Sequence, residues 1–179
     1  MSPALPFLFI WCAVGTHSIS PRIRKNIYTA YEQIDILKPP PPVENEKQIE
    51  TMKTLDTKAA EILRALLALK TTVINGSDGT YMPVHIEIID RSEQYIHISL
   101  AHYGQQNGDM MRDPEMLFAL HKESQQFIPY YYRNDYCGIE QYSVRWTDEG
   151  ILLNRRLQAE HTTFANQWLR NIAAQQHIL

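Results

Sequence analysis

Asp109, Asp113 and Glu115 fall within one short stretch, with His102 before it and His121 after it. Carboxylates are the oxygen ligands that hard divalent cations take, and imidazole adds a nitrogen ligand or a general base. The pattern therefore spells a metal-dependent hydrolase or nuclease. In it Asp109, Asp113 and Glu115 hold a divalent metal, and His102 or His121 is a further ligand or the base. The same stretch has a second reading. Asn107-Gly108 tolerates the positive φ of a tight turn, and Asp113-Pro114 drives the backbone out of the helical region, so these polar residues also serve as turn formers. No cofactor is then needed. Gln106, Asn107 and Asp109 then belong to a binding loop that runs from Gln105 to Asp113, with Tyr103 just before it and Tyr131 and Arg133 on the sheet face.

The surrounding pattern says what must position this loop, Tyr103 to Met116. Asp56 or Thr57 caps a helix to about Lys70, with Ala59, Ile62, Leu63, Leu66, Leu67 and Leu69 as its apolar stripe. The cluster Asn75-Gly76-Ser77-Asp78-Gly79 ends it. Met82 to Ile88 and Ile96 to Leu100 alternate with period two and read as a hairpin through Asp90 to Glu93. Aligning their apolar faces sets Ile86 opposite Ile98, Glu87 near His97 and His85 near Ser99. His102 is in phase with Ile98 and Leu100, so it is either a satisfied core histidine or a group facing the Asp109 loop.

Beyond the loop, Met116 to His121, Phe127 to Arg133 and Ile139 to Trp146 are rich in aromatic and β-branched residues and complete five strands joined by hairpins. Asn154 caps a last helix to about Gln176, with Leu157, Phe164, Trp168 and Ile172 on one side. The expected fold is α+β: an N-terminal helix, a five-stranded antiparallel meander, and a C-terminal helix packed on one sheet face.

Residues 1–51 read as a loosely ordered extension, and 52–179 as a single α+β domain. Leu5 to Val14 is apolar but too short for a spanning helix, which takes about 20 residues. A signal peptide at residues 1–15, and hence secretion, is the alternative to a cytoplasmic protein, although no Lys or Arg precedes the run. Pro39 to Pro42 imposes an extended polyproline linker, and Met52 reads as the functional start.

Composition narrows the partners. Seventeen Lys plus Arg stand against twenty Asp plus Glu, a net charge of −3, which argues against broad polyanion binding. The tyrosines at 130, 131 and 132 could stack bases, but Arg133 and Arg145 are the only cations in the neighbouring strands. Cys12 and Cys137 have neither zinc nor disulfide spacing. A phosphate loop, a nucleophile elbow and a dinucleotide fingerprint are all missing.

Two resemblances carry expectations. Ile96-His97-Ile98-Ser99-Leu100 resembles one motif strand of the two-histidine phosphoesterases, but Val84-His85-Ile86-Glu87-Ile88 has Glu where that family's second motif has Ser or Thr. A longer pattern joins His102-Tyr103-x-x-Gln106-Asn107-Gly108-Asp109-x-Met111-x-Asp113-Pro114-Glu115-Met116 to Tyr131 to Asp135 and to Phe164-x-x-x-Trp168-x-x-Asn171. It resembles a bacterial domain family of unknown function marked by Gln-Asn-Gly-Asp and found on mobile genetic elements. The resemblance implies a cytoplasmic accessory protein and brings no catalytic residue. The leading expectation is a noncatalytic module that binds a protein or nucleic acid, and the metal-dependent hydrolase is the alternative.

The boundary at Met52 is checkable. A chain beginning at Met52 is expected to unfold in one cooperative thermal transition, and a fragment without one would refute the boundary.

Overall fold

Asp56 starts the first element: its carboxylate accepts the Ala59 amide at 2.9 Å, and its second oxygen takes Arg170 Nη2 at 2.6 Å. Helix α1 follows, Thr57–Ala68, and buries Ala59, Ala60, Ile62, Leu63 and Leu66 at helical spacing. Leu69, expected on the same stripe, is exposed, because the helix stops at Ala68 and Lys70 turns left-handed at φ 53°. The computed structural model describes residues 52–76 and 79–178. The apolar run at 5–14, the polyproline segment at 39–42 and turn positions 77 and 78 lie outside the described residues.

Eight strands lie between α1 and the last helix. They are β1 (Val73–Ile74), β2 (Val84–Arg91), β3 (Tyr95–Gln106), β4 (Asp109–His121), β5 (Phe127–Asn134), β6 (Ile139–Tyr142), β7 (Val144–Thr147) and β8 (Gly150–Leu153). β1 to β6 form an antiparallel sheet in chain order, and β7 and β8 form a separate two-stranded sheet. The meander is as expected, but it has six strands rather than five. Val73–Ile74 is a strand too short to leave a periodic signal. The expected fifth strand, Ile139 to Trp146, breaks at Ser143, whose amide bonds Tyr130 O at 2.8 Å while its carbonyl takes the Asn154 amide at 2.8 Å.

The loop expected from Tyr103 to Met116 is largely strand. β3 runs on to Gln106, β4 begins at Asp109, and Asn107 and Gly108, at φ 54° and 92°, make a two-residue turn. Positive φ at both central positions is the turn whose twist matches that of the strands it joins, so no loop is needed. The β2–β3 register also differs from the expected one. Ile86 faces Leu100, Glu87 faces Ser99 and His85 faces Ala101, because the ladder shifts between Ile88 and Asp90 and the turn closes later than the apolar pattern suggested.

Helix α2, Arg155–Gln175, is capped by the Asn154 side chain on the Leu157 amide at 3.1 Å. Both helices pack on one sheet face over a core that includes Leu63, Leu66, Ile98, Leu100, Met116, Phe118, Leu169 and Ile172. A second cluster, with Tyr95, Ala119, Ile128, Tyr130, Val144 and Ile151, fills the space between the opposite face and the β7–β8 hairpin. The inner side of α2 also carries polar residues that an apolar stripe does not announce. Buried Gln158 accepts the Lys53 amide at 2.8 Å and donates to Lys53 O at 2.6 Å, which ties the segment before α1 to α2.

His161 is 4% exposed. The Ser143 hydroxyl donates to Tyr130 O at 3.1 Å, so at 2.9 Å the imidazole Nδ1–H donates to Ser143 Oγ, and Nε2 has no partner among the described residues. Desolvation lowers its pKa to about 4 against a weak opposing pull from Glu160. The unfolded chain therefore takes up a proton near pH 6.5 that the folded chain refuses. Stability is full above pH 6.5 and falls toward pH 4, at up to about 1.4 kcal/mol per pH unit. His161→Gln keeps a donor for Ser143 and is expected to flatten this decline in urea unfolding across that range; an unchanged slope would refute the assignment.

Candidate functional site

Past Ala101 and Glu115 the β3–β4 pair outruns its neighbours. β2 pairs with β3 only up to His102, and β5 pairs with β4 only from Glu115 onward, whereas Tyr103 to Gln106 continue against Arg112 to Asp109. The Gln-Asn-Gly-Asp motif thus tips a two-stranded arm. Residues from Gln105 to Met110 are all exposed, including Met110 at 64%. A lone hairpin is marginal in water, so the arm needs an anchor at its base.

Asp135 supplies that anchor. Its carboxylate accepts the Arg112 amide at 2.9 Å, its own amide donates to Arg112 O at 3.0 Å, and Arg133 Nε donates to it at 2.6 Å. Desolvation pushes its pKa up, but the Arg112 backbone bond and Arg133 outweigh this and hold the carboxyl below its usual range. Arg112 Nε also lies 2.7 Å from Glu115 Oε2, an ion pair without hydrogen-bond alignment, and Ser99 Oγ donates to Glu115 at 2.7 Å. Tyr136 folds over the same base, where a Cβ at Gly104 would overlap its hydroxyl. These contacts line the half of the outer sheet face that the β7–β8 hairpin leaves open.

The expected site residues divide accordingly. Tyr103 is half-buried at the arm's base, edge-on to His85 at 4.8 Å, with its pKa raised by desolvation and by Glu115. Gln106, Asn107 and Asp109 are at the exposed tip. Tyr131 is buried, donates to Glu140 at 3.0 Å and packs on Tyr142 at 4.5 Å; desolvation and Glu140 raise its pKa to about 12. Arg133 joins Asp135 and, at 3.9 Å, Glu140. Tyr103, Tyr131 and Arg133 therefore share one face, with the motif tip extending from it.

The metal-ligand set does not gather at one point. Asp113 accepts Asn134 Nδ2 at 2.8 Å, and Glu115 is held by Ser99 and Arg112. His102 faces the core, donating from Nδ1 to Pro83 O at 3.1 Å with its ring 5.5 Å from Trp168, and burial lowers its pKa. It is the satisfied core histidine. His121 ends β4, a 13-residue strand, so it lies about 40 Å along the strand from Asp109, hydrogen-bonded to Ser124 Oγ at 2.8 Å. Among the described residues no group of three His, Cys, Asp or Glu side chains is placed to hold a metal ion.

Arg112 and Asp135 did not stand out in the sequence, where Asn134-Asp135-Tyr136 read only as a hairpin connection. Their pairing depends on the register shift between Ala101 and Tyr103, which local patterning does not encode. Tyr142, 40% exposed, carries Arg145 over its ring at 4.4 Å and extends the face to the β6 edge.

Residues 50–178 match the model of a domain of unknown function, DUF6908. The chain belongs to the DUF6908 family. No curated protein and no solved structure matches it. The DUF6908 match spans every described element from α1 to α2. It brings no assigned chemistry, so function must be argued from the arm and the face beneath it. No described helix is long and apolar enough to cross a membrane.

The Asp135 anchor is testable. Asp135→Ala removes a charged acceptor from the Arg112 amide, a loss on the order of 1–3 kcal/mol, and is expected to speed amide exchange at 103–112 while the helix-side core keeps its protection. Because the folded pKa is depressed, the contribution is present above about pH 4 and lost as pH falls further. Equal exchange in variant and parent at neutral pH would refute the anchor.

Proposed function

We propose that this DUF6908 domain is a noncatalytic binding module that takes a protein partner on the open outer sheet face and the projecting arm. One observation carries the reading: tyrosine and arginine concentrate where no described element covers the sheet. Tyr136 and Tyr142 are exposed, Tyr103 is half-buried, and Arg112, Arg133 and Arg145 lie among them. These are the residue types that dominate interface energetics, because each joins a large contact area to a polar tip.

Charge favours protein over nucleic acid. Arg112 is paired with Glu115 and Asp135, and Arg133 with Asp135 and Glu140, so of these three arginines only Arg145 lacks an ion-pair partner among the described residues. A strand of phosphates needs a concentrated excess of cations, and the described residues of this surface supply none. The accessory role in a bacterial mobile element and the cytoplasmic setting implied by the Gln-Asn-Gly-Asp resemblance belong to the same proposal, since a small recruiting protein needs no active site of its own.

The test is photo-crosslinking from a benzoylphenylalanine placed at Asn107, Tyr142 or, as control, exposed Asn171 on α2, in cells that carry the gene natively. Discrete protein adducts from the first two positions and none from the third are expected. Adducts to nucleic acid, or none at all, would overturn the reading. A parallel thermal unfolding series with Mg²⁺, Mn²⁺, Ca²⁺ and Zn²⁺ tests the hydrolase alternative. There a bound metal adds about 2.7 kcal/mol at a hundredfold excess over its dissociation constant, and a metal-specific gain lost in Asp109→Asn would move the conclusion to that alternative.

A further inference from the structure

The opposite edge of the sheet is capped along only half its length. β1 pairs with Val84 and His85, and the Ile86 amide reaches Thr72 O at 3.0 Å. In an antiparallel ladder successive amides alternate between the two sides, so the next one aimed away from β3 is that of Ile88. Among the described residues no strand of the sheet lies there. Ile88 and Ile89 are each 43% exposed beside this free edge. Such an edge is a template for pairing with another chain unless charge or covering blocks it.

Two features define what fits. Along the edge, between the end of α1 and β2, an open groove of about 440 Å³ has Leu67, Lys70, Thr72, Ile86, Glu87 and Ile88 in its lining. On the outer side, Glu87 pairs across β3 with Ser99 and Asp90 with His97, which puts both carboxylates on one face. Both are exposed, and neither makes an ion pair among the described residues. We infer that the β2 edge from Glu87 to Arg91 docks an extended segment of a partner protein whose residues alternate aliphatic and basic. That segment adds a strand in line with β1, its aliphatic side chains entering the groove and its cations meeting Glu87 and Asp90.

Charge also decides against a second copy of this chain. Two β2 edges joined antiparallel share an outer face, so Glu87 and Asp90 of one copy would stand among the same carboxylates of the other, and like charges across strands destabilise the pair. Lys70 in the groove and Arg91 at the strand's end likewise disfavour a segment that is basic on both sides. This surface is at the far edge of the sheet from Tyr142 and is independent of the face proposed above.

The full chain is titrated against a fluorescein-labelled peptide of seven residues alternating lysine and valine, with anisotropy as readout. Controls are a glutamate–valine alternation and a peptide of identical composition with lysines and valines in separate blocks. Saturable binding of the alternating lysine peptide alone is expected, with the Ile88 amide gaining exchange protection. Ile88→Pro removes the edge amide at a position where no sheet bond is lost, and Glu87→Lys with Asp90→Lys reverses the charge; each is expected to weaken binding at least tenfold. Should the proline variant fail to fold, the charge reversal and the Ile88 protection decide. Equal binding of the blocked peptide, binding undiminished by either variant, or self-association of the chain that these variants abolish would each overturn the proposal.

Discussion

The register between β3 and β4 determines the rest of the molecule, because side chains alternate along a strand and a slip of one residue exchanges the two faces. The Asn107-Gly108 turn sets that register at one end, and the turn after His121 closes β4 onto β5 at the other. Ile98, Leu100, His102, Met116 and Phe118 are thereby given to the helices, and His97, Ser99, Tyr103, Glu115 and Leu117 to the outer face. Three departures from regular pairing then adjust the outer face. Continuing from Ala101 and Glu115, a regular ladder would set Asp113 opposite Tyr103, but the shift there delivers Arg112. A shift between Leu117 and Phe118 brings Tyr130 out beside Tyr131, and one between Ile88 and Asp90 brings Asp90 to His97. Such irregularities re-aim a side chain at a small cost in pairing.

What covers the outer face follows from a single serine. At Ser143 the chain leaves β5, and β7 pairs instead with β8, which lays Trp146 against Tyr95 at 5.3 Å, His97 at 5.3 Å and Tyr130 at 5.0 Å. The aromatic half of the face is thereby buried. The half beyond Glu115 has no such cover among the described residues, and its polar groups satisfy one another through Ser99, Arg112, Asp135 and Glu140. Buried or half-buried charges that are mutually paired hold their side chains in place, so a partner meeting this surface has few rotamers left to freeze.

Much of this was legible in the sequence where one physical rule acts alone. Asp56 and Asn154 mark the helix starts because a side-chain oxygen must satisfy the first amides, and both caps form as read. Period-two alternation found β2 and parts of β3, β4 and β6, but not β1, β8 or the break between β6 and β7, and Asn107-Gly108 found the turn. The misses share a cause. Carboxylates at Asp113 and Glu115 suggested a common ligand, but neighbours from distant strands claim them: Asn134 for one, Ser99 and Arg112 for the other. His121 comes near Asp109 only if 109–116 form a loop ahead of the Met116 to His121 strand; as one extended strand, 109–121, they separate the two. Gln158 and His161 broke the apolar pattern of α2 because their partners, Lys53 and Ser143, lie far away in sequence. Local chemistry was readable, but its partners were not.

The two sheet edges differ in what they offer, and the difference follows from charge. At the β6 side Arg112 and Arg133 are neutralised in place and the tyrosines supply the contact area, which suits recognition by shape and hydrogen bonding. At the β2 side Glu87 and Asp90 have no ion-pair partner among the described residues and stand beside an edge that no described strand covers, which suits recognition by main-chain pairing and opposite charge. Charged residues on a free edge are the usual protection against promiscuous strand pairing. The same charges that repel a second copy or an acidic strand lower the barrier for a basic one, so a protective device becomes a selective one without any change of residue. The β3–β4 ladder lies between the edges as a spacer, its core residues Ile98, Leu100, Met116 and Phe118 fully buried, and two partners held at opposite sides of it would be kept apart by the strands between them.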